Sequence, residues 1–515
     1  MSKARGMWAD LTIAVVGGLA WAACFQAEPY SLLPWIALTP LVALMGRPRA
    51  ALWGALWGLV AWLAMVHWIA PTIQTFGGLS PWLSWMLVVL LAVVLGFEGA
   101  LLAWLGARCW RRSDLWPIFV LPSIWVLLEL VRGFFANGFP WNLAAYAWID
   151  VPGALALSSW IGAWGVSWCV VAANVALTLG ALRGHWKTSA AAVLSLGILL
   201  ILAGRFAVLD MPRAGGREVS VFQPGSEITY DPGQLSQDYF DLIEMSEAEC
   251  GLGPRLLVWP ESAAFPHSWH GSPLLRRDVE RFATRGCPVL FGSPVPAGES
   301  EIGESWGGVH NAALIVGPDG VEGLYAKRRL VPFGEYVPFE TLLPFVGKLA
   351  RESGRFVAGE EPGLLPWAGE RLGVAICYEV VFAGAVAEQV REGATLLVTI
   401  TNDAWYGDTS APWQHLRAVR FRAAENRRPM LRAALTGVSV LVDARGRVTS
   451  ELDLDESGVL RGRVRGTREL SPYSRAPSAS LWVCFLVAAI GIGRFGIIRP
   501  RRSRREGVSN TAPRR

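Results

Sequence analysis

Apolar residues run in stretches of about twenty through the first 210 positions. Short alternating runs then take over, and one long stretch returns near the C-terminus. At 1.5 Å rise per residue, about twenty apolar residues in a helix cross the roughly 30 Å hydrocarbon core of a bilayer. The pattern predicts spans near 10–26, 30–46, 51–70, 82–106, 115–131, 155–181 and 188–208, with an eighth near 479–498. The second is short and contains Pro34 and Pro40. The predicted organisation is a seven-span transmembrane region over 1–210, a globular domain over 211–475, and a final span with a basic tail over 476–515.

Within the middle block, the Val-, Ile- and Leu-rich runs EVSVFQ, RLLVWPE, CPVLFG, NAALIVG, RLGVAICYE, TLLVTITND, PMLRAAL and GVSVLVDARG predict strands. Between several of them, QLSQDYFDLIEMSEAE, SPLLRRDVERFATR, FAGAVAEQVREG and PWQHLRAVRFRAAENRR have helical spacing. Strands alternating with helices, plus some direct strand-to-strand connections, imply a layered α/β sandwich.

Composition agrees with a membrane protein: 52% of the 515 residues are hydrophobic and only 17% are charged. The net charge of +5 does not mark a nucleic-acid surface, because much of the excess lies in the tail RPRRSRREG and in short connections. Those basic residues alternate. Lys3 and Arg5, Arg47 and Arg49, Arg108 with Arg111 and Arg112, Arg183 and Lys187, and the tail fall on one side of the count. QAEP and PTIQTFGGLS carry no Lys or Arg. By the positive-inside rule this requires an odd number of spans before the globular block, which then lies on the non-cytoplasmic side. Glu129 and Arg132, three apart, are expected to share a helix face and pair near the membrane surface.

The seven cysteines are scattered without CxxC spacing, so neither a zinc site nor a disulfide framework is expected. One pairing, Cys250 with Cys287, is compatible with a domain in an oxidising space. None of the six His residues forms HExxH or a Cys/His cluster, so no metal and no cofactor are implied. Gly491, Gly493 and Gly496 spell GxGxxG, but inside an apolar span that reads as helix packing.

Three reactive side chains end apolar runs of the globular block: Glu261 in LLVWPES, Lys327 in GLYAKRRLVPFGE and Cys377 in RLGVAICYE. Singly, each has a bland reading as a surface carboxylate, one of a basic cluster, and inert packing. Together they supply a base, a cation and a nucleophile. An apolar lead-in buries Glu261 and favours general-base behaviour. A helix starting just beyond Cys377 would favour its thiolate. A candidate covalent catalyst tied to a bilayer points to acyl transfer on a lipid.

WPES, YAKRRLVPFGEYVP, ICYE and TNDAWYGDTSAPWQHLRAVRFRAAENRRPMLRA, in this order, resemble the nitrilase superfamily, and specifically the apolipoprotein N-acyltransferases. The eight-span layout and GFPW at 138–141 also fit that family. The resemblance implies an αββα domain with Glu261 as general base, Lys327 as oxyanion stabiliser and Cys377 as nucleophile. It implies auxiliary carboxylates at Glu335 and Glu379, an oxyanion N–H at Tyr378, and a loop of Asn402, Trp405 and Tyr406 beside the substrate. The implied donor is a phospholipid, phosphatidylethanolamine through its sn-1 chain. The acceptor is the α-amine of a diacylglyceryl-cysteine in an apolipoprotein. The implied setting is the bacterial inner membrane with the catalytic domain on the periplasmic side. Two other readings use the same residues: a membrane-anchored amidase with water as acceptor, and a non-catalytic membrane scaffold.

Overall fold

The computed structural model describes residues 2–27, 31–110, 115–134, 138–209, 215–226, 228–298, 308–332, 334–336 and 356–495. Arg111, Arg112, the end of the last expected span and the basic tail lie outside them.

Among these residues, four helices are long and apolar enough to cross a membrane: Gly6–Ala23, Pro81–Trp110, Ala154–Arg183 and Trp186–Phe206. Ala50–Val66 and Ile69–Gly77 meet at a 50° bend and make a fifth if taken as one span. Helix length among the described residues therefore does not confirm the expected count of eight. The second expected span is a 3-10 turn at Leu33–Trp35 followed by a six-residue helix at Thr39–Leu44. Pro34 and Pro40 each restart the helix there, because proline fits a first turn and breaks an interior. The fifth expected span is a 16-residue helix, Pro117–Arg132.

The bundle packs through small residues and indoles. A Cβ on Gly54 would sit 2.3 Å from Gly99 O, so glycine is what lets these two helices touch backbone to backbone. Much of the chain's tryptophan excess is internal: Trp21 and Trp57 lie edge-on to Trp125, and Trp35 packs on Trp148 at 4.4 Å. Glu129 and Arg132 are both buried but take other partners. Arg132 pairs with Glu98 at 3.0 Å and donates to Trp141 O at 2.7 Å. Glu129 accepts from Ala144 N and the Trp125 indole at 2.7 and 2.9 Å. The polar pair expected at the surface is instead an internal brace, since a buried charge requires hydrogen-bond partners.

The globular domain is built from two six-stranded sheets. In the first, β1 (Arg217–Gln223), β2 (Leu256–Val258) and β3 (Val289–Pro296) are parallel, and β4 (Val309–Gly317) and β5 (Gly320–Ala326) continue antiparallel. The second repeats the plan. β6 (Leu364–Trp367) pairs antiparallel with β7 (Glu370–Ile376), and β7, β8 (Leu396–Thr401) and β9 (Met430–Ala434) run parallel. β10 (Ser439–Val442) and β11 (Val448–Leu452) complete it. β12 (Gly458–Val464) returns to pair with β1.

Val219, Val258, Leu290 and Ile315 from the first sheet meet Leu372, Val374, Val398 and Leu431 from the second in one apolar core. The outer face of the first sheet carries helices Pro232–Gly251 and Pro273–Thr284, each opened by a capping side chain, Asp231 or Ser272, just before a proline. The outer face of the second carries helices Ala383–Arg391 and Ala411–Asn426. The order is αββα, as the resemblance implies. The last layer has no boundary with the membrane region: Val386, Val419 and Phe421 share a continuous core with Trp57, Trp141 and Val170.

The Ala411–Asn426 helix is the main joint. Arg417 donates to Cys24 O at 2.7 Å, satisfying a carbonyl just past the end of helix Ser2–Ala23. Gln414 accepts from the Trp141 indole at 2.6 Å and donates to Met65 O at 3.2 Å. Glu425 accepts the Ala163 N–H at 2.6 Å. That N–H is free because helix Ala154–Arg183 is broken at Gly162, whose φ of 69° is open to glycine at no cost.

Candidate active site

The reactive groups stand at the carboxyl ends of strands, where sheet pairing stops and side chains can converge. Glu261 lies three residues beyond β2, and Lys327 directly follows β5. Cys377 directly follows β7, and Asn402 directly follows β8. The first pair comes from one sheet and the second from the other, so the site forms where the two sheets meet. Glu261, Lys327 and Cys377 are all buried.

Lys327 Nζ is 2.9 Å from Glu335 Oε1 and 3.5 Å from Glu261 Oε1. Burial would lower the ammonium, but the two carboxylates outweigh it and hold it above its ordinary value. The Asn311 amide donates to both, at 2.7 Å to Glu261 and 2.8 Å to Glu335. The other Glu261 oxygen accepts the Asn402 backbone N–H at 3.1 Å.

At Cys377, burial, reinforced by the Glu261 carboxylate, pushes the thiol up to about 12, against the pull of Lys327. The resting form is the thiol. The expectation of a helix-favoured thiolate is not met: a 3-10 turn, Cys377–Val381, follows the strand, and the helix begins only at Ala383.

Glu379 accepts from Ile376 N at 2.8 Å, Arg328 N at 2.7 Å, Arg329 N at 3.0 Å and the Tyr325 hydroxyl at 2.9 Å. One carboxylate thus ties the strand end that bears Cys377 to the segment that bears Lys327. Glu335 also accepts Val331 N at 2.8 Å, which fixes its own loop.

The Asn402 side chain caps the Asp403–Tyr406 turn by accepting Ala404 N at 3.2 Å. Trp405 is 40% exposed and lies edge-on to Phe76 at 4.4 Å, with its carbonyl accepting the Thr72 hydroxyl at 2.8 Å. Tyr406 meets Trp68 edge-on at 4.9 Å. The loop is thus joined to the bent helix Ile69–Gly77 of the membrane region. The structure brings Glu261, Lys327, Glu335, Cys377, Glu379 and Asn402 around one locus, while Trp405 packs on the membrane region beside it. Asn311, His415 and Asp403 had gone unnoticed. Asn311 did have a faint signal, a polar residue heading the apolar run NAALIVG.

Two family models divide the chain. One described as the apolipoprotein N-acyltransferase N-terminal domain matches residues 17–176, and carbon-nitrogen hydrolase matches 222–469. An apolipoprotein N-acyltransferase from Geobacter metallireducens is 34% identical over 506 residues, covering 93% of this chain and 94% of that protein. The chain belongs to the apolipoprotein N-acyltransferase family. A relative of the same name from Pseudomonas syringae pv. tomato is 31% identical over 499 residues, covering 90% of this chain and 92% of its own. Among solved structures, an amidase from Nesterenkonia sp. aligns over 53% of this chain and 97% of that one, at 21% identity and a TM-score of 0.38.

Both regions matched by the family models are present in this apolipoprotein N-acyltransferase family chain, and in the structure they meet at the site. The Tyr378 hydroxyl donates to Gly138 O at 2.9 Å, and its ring stacks near Trp141 at 6.3 Å. The GFPW segment of the membrane region therefore forms the floor beneath the residue that follows Cys377.

Proposed function

We propose that this chain moves an acyl chain from a phospholipid, through a thioester on Cys377, to the N-terminal α-amine of a diacylglyceryl-cysteine in an apolipoprotein. Family membership supports the overall activity. The observation that carries the mechanism is the meeting of Glu261, Lys327 and Cys377 from two sheets in a buried site continuous with the membrane bundle.

Glu261 takes the thiol proton as Sγ attacks the sn-1 ester carbonyl of phosphatidylethanolamine. The Lys327 ammonium and the Tyr378 N–H face the developing oxyanion. The C–O bond breaks, Glu261 returns the proton to the leaving lysophospholipid oxygen, and the thioester remains. The acceptor amine then attacks the thioester, Glu261 takes the amine proton, and the thiol departs with it. Glu335 and Glu379 hold the lysine and the cysteine in register. Trp405 and Tyr406, joined to a membrane helix, line the approach of the acyl chains, and Asn402 shapes that loop. A dry site lets aminolysis outrun hydrolysis.

The alternating basic connections favour eight crossings of the bacterial inner membrane with the domain on the periplasmic side. The Cys250–Cys287 disulfide adds support, since such bonds persist in oxidising compartments. The amidase reading loses ground to the joint between domain and bundle, which a hydrolase of small amides has no need of.

The test is intact-mass spectrometry of the full chain with phosphatidylethanolamine. An acyl adduct on Cys377, discharged by a diacylated lipopeptide with a free amine and absent in Cys377→Ala, is the expected result. An adduct on another residue, or turnover of small amides without lipid, would overturn the proposal.

A further inference from the structure

We infer that His415, held by Arg432, which Asp403 anchors, is a positioning residue that fixes the backbone of Cys377 in its reactive conformation. The inference rests on Cys377 being the nucleophile.

Cys377 has a φ of 52°. That is the left-handed region, which costs a residue with a Cβ roughly 1–2 kcal/mol and persists only when neighbours impose it. His415 Nε2 lies 3.1 Å from Cys377 O, across 38 positions of sequence and wholly buried. A carbonyl oxygen only accepts, so Nε2 carries the hydrogen.

The far side of the ring is equally constrained. Nδ1 is 3.3 Å from Arg432 Nη2 and 3.3 Å from Asp403 Oδ1. Burial first, and then the Arg432 guanidinium, hold the imidazole below its ordinary value, so it is neutral. A neutral ring with its hydrogen on Nε2 leaves Nδ1 to accept from Arg432. Asp403 in turn anchors Arg432 through a close Oδ2 contact and accepts the Thr401 hydroxyl at 2.7 Å. Arg432 also donates through Nε to Val438 O at 3.0 Å, so its fork has no freedom to swing. The network thus holds Cys377 at its carbonyl through His415.

In the mechanism above, none of these groups meets the reacting atoms of the lipid. Their effect is on geometry: without the bond from Nε2, Cys377 can relax toward negative φ and carry its sulfur away from Glu261 and Lys327. A misplacement of about 1 Å is worth roughly a hundredfold in rate.

The experiment measures single-turnover acylation of full-length protein across a series of phosphatidylethanolamine concentrations, for the parent, His415→Leu and His415→Gln, with thermal unfolding alongside. The leucine variant should lose about a hundredfold in limiting rate, with half-saturation unchanged within about twofold. Glutamine, whose amide can donate to the same carbonyl, should recover at least about tenfold of that. Parental rates in the leucine variant, a loss confined to half-saturation, or equal loss in both variants would overturn the inference. Nitrogen-15 histidine resonances of the parent give a reading independent of how the variants fold: hydrogen on Nε2 is expected, and hydrogen on Nδ1 would refute it. An adduct away from Cys377 in the parent would instead sink the proposed mechanism itself.

Discussion

Lys327 lies closer to Glu335 than to Glu261, at 2.9 Å against 3.5 Å. The ammonium's shorter contact is therefore with a carboxylate outside the proposed triad, while the charges of both carboxylates hold it. Glu261 keeps its second oxygen on the Asn402 N–H and a looser hold on the lysine. In the proposed mechanism, holding the cation and removing the proton are divided between two residues of identical chemistry.

That division predicts unequal losses. Glu261→Gln removes the base and should lower single-turnover acylation by about 10²–10⁴. Glu335→Gln keeps one oxygen for Lys327 but puts an NH2 where Val331 N needs an acceptor, and should lose roughly ten- to a hundredfold. Equal losses in the two variants would mean that Glu335 shares in the proton transfer.

The thiol pushed up to about 12 has a signature in pH. Only the thiolate is alkylated, and its fraction grows tenfold per unit below the thiol's own value. Iodoacetamide labelling of Cys377 should therefore climb steadily from pH 7 to pH 10. A plateau near neutrality would reveal a standing thiolate–ammonium pair. The acidic neighbour adds a second check: Glu261→Gln removes a charge that raises the thiol, so the variant should label faster while acylating more slowly.

The joint between domain and bundle is testable through stability. Glu425 pairs with Arg422 at 2.6 Å and caps Ala163, all fully buried. Glu425→Ala strands a guanidinium and an N–H, a change worth about 3–5 kcal/mol. Glu425→Gln should cost less, because it can still accept from Ala163. Gly162→Ala should also be destabilising, since a Cβ there would lie 2.6 Å from the Tyr473 ring at a φ of 69°. Thermal unfolding in detergent micelles ranks all three.

The Cys250–Cys287 bond reports on the compartment. It closes a separation of 37 residues, worth about 3–4 kcal/mol by loop entropy. In unfolded protein from cells, these two cysteines should take maleimide only after reduction. Labelling of both without reductant would place the domain in a reducing space and reverse the proposed topology.

The strands that carry the site were legible because their apolar runs end on the reactive residue, as LLVWPE and LGVAIC do. Glu261, Lys327, Cys377, Glu335 and Glu379 could be found that way or through the motifs around them. β5, β6, β11 and β12 were not read as strands. β5, β11 and β12 are partly exposed and polar, and β6 is four residues containing a proline, so the alternation that marks a strand is weak. His415 was hidden for a different reason: its partner, Cys377 O, is a backbone atom and leaves no trace in side-chain spacing. Helix length among the described residues does not by itself confirm the expected spans, because hydropathy does not register the breaks at Pro34, Pro40 and the bend before Ile69.

Gln414, His415 and Arg417 sit within one turn of a single helix, two gripping the ends of membrane helices and one holding the carbonyl of Cys377. A tilt of the bundle therefore reaches the sulfur through less than 6 Å of rigid rod, at about 1.5 Å per residue. A mismatch in bilayer thickness that tilts those helices would then bear on the proposed chemistry, so that the solvent around the bundle is also a lever on the sulfur.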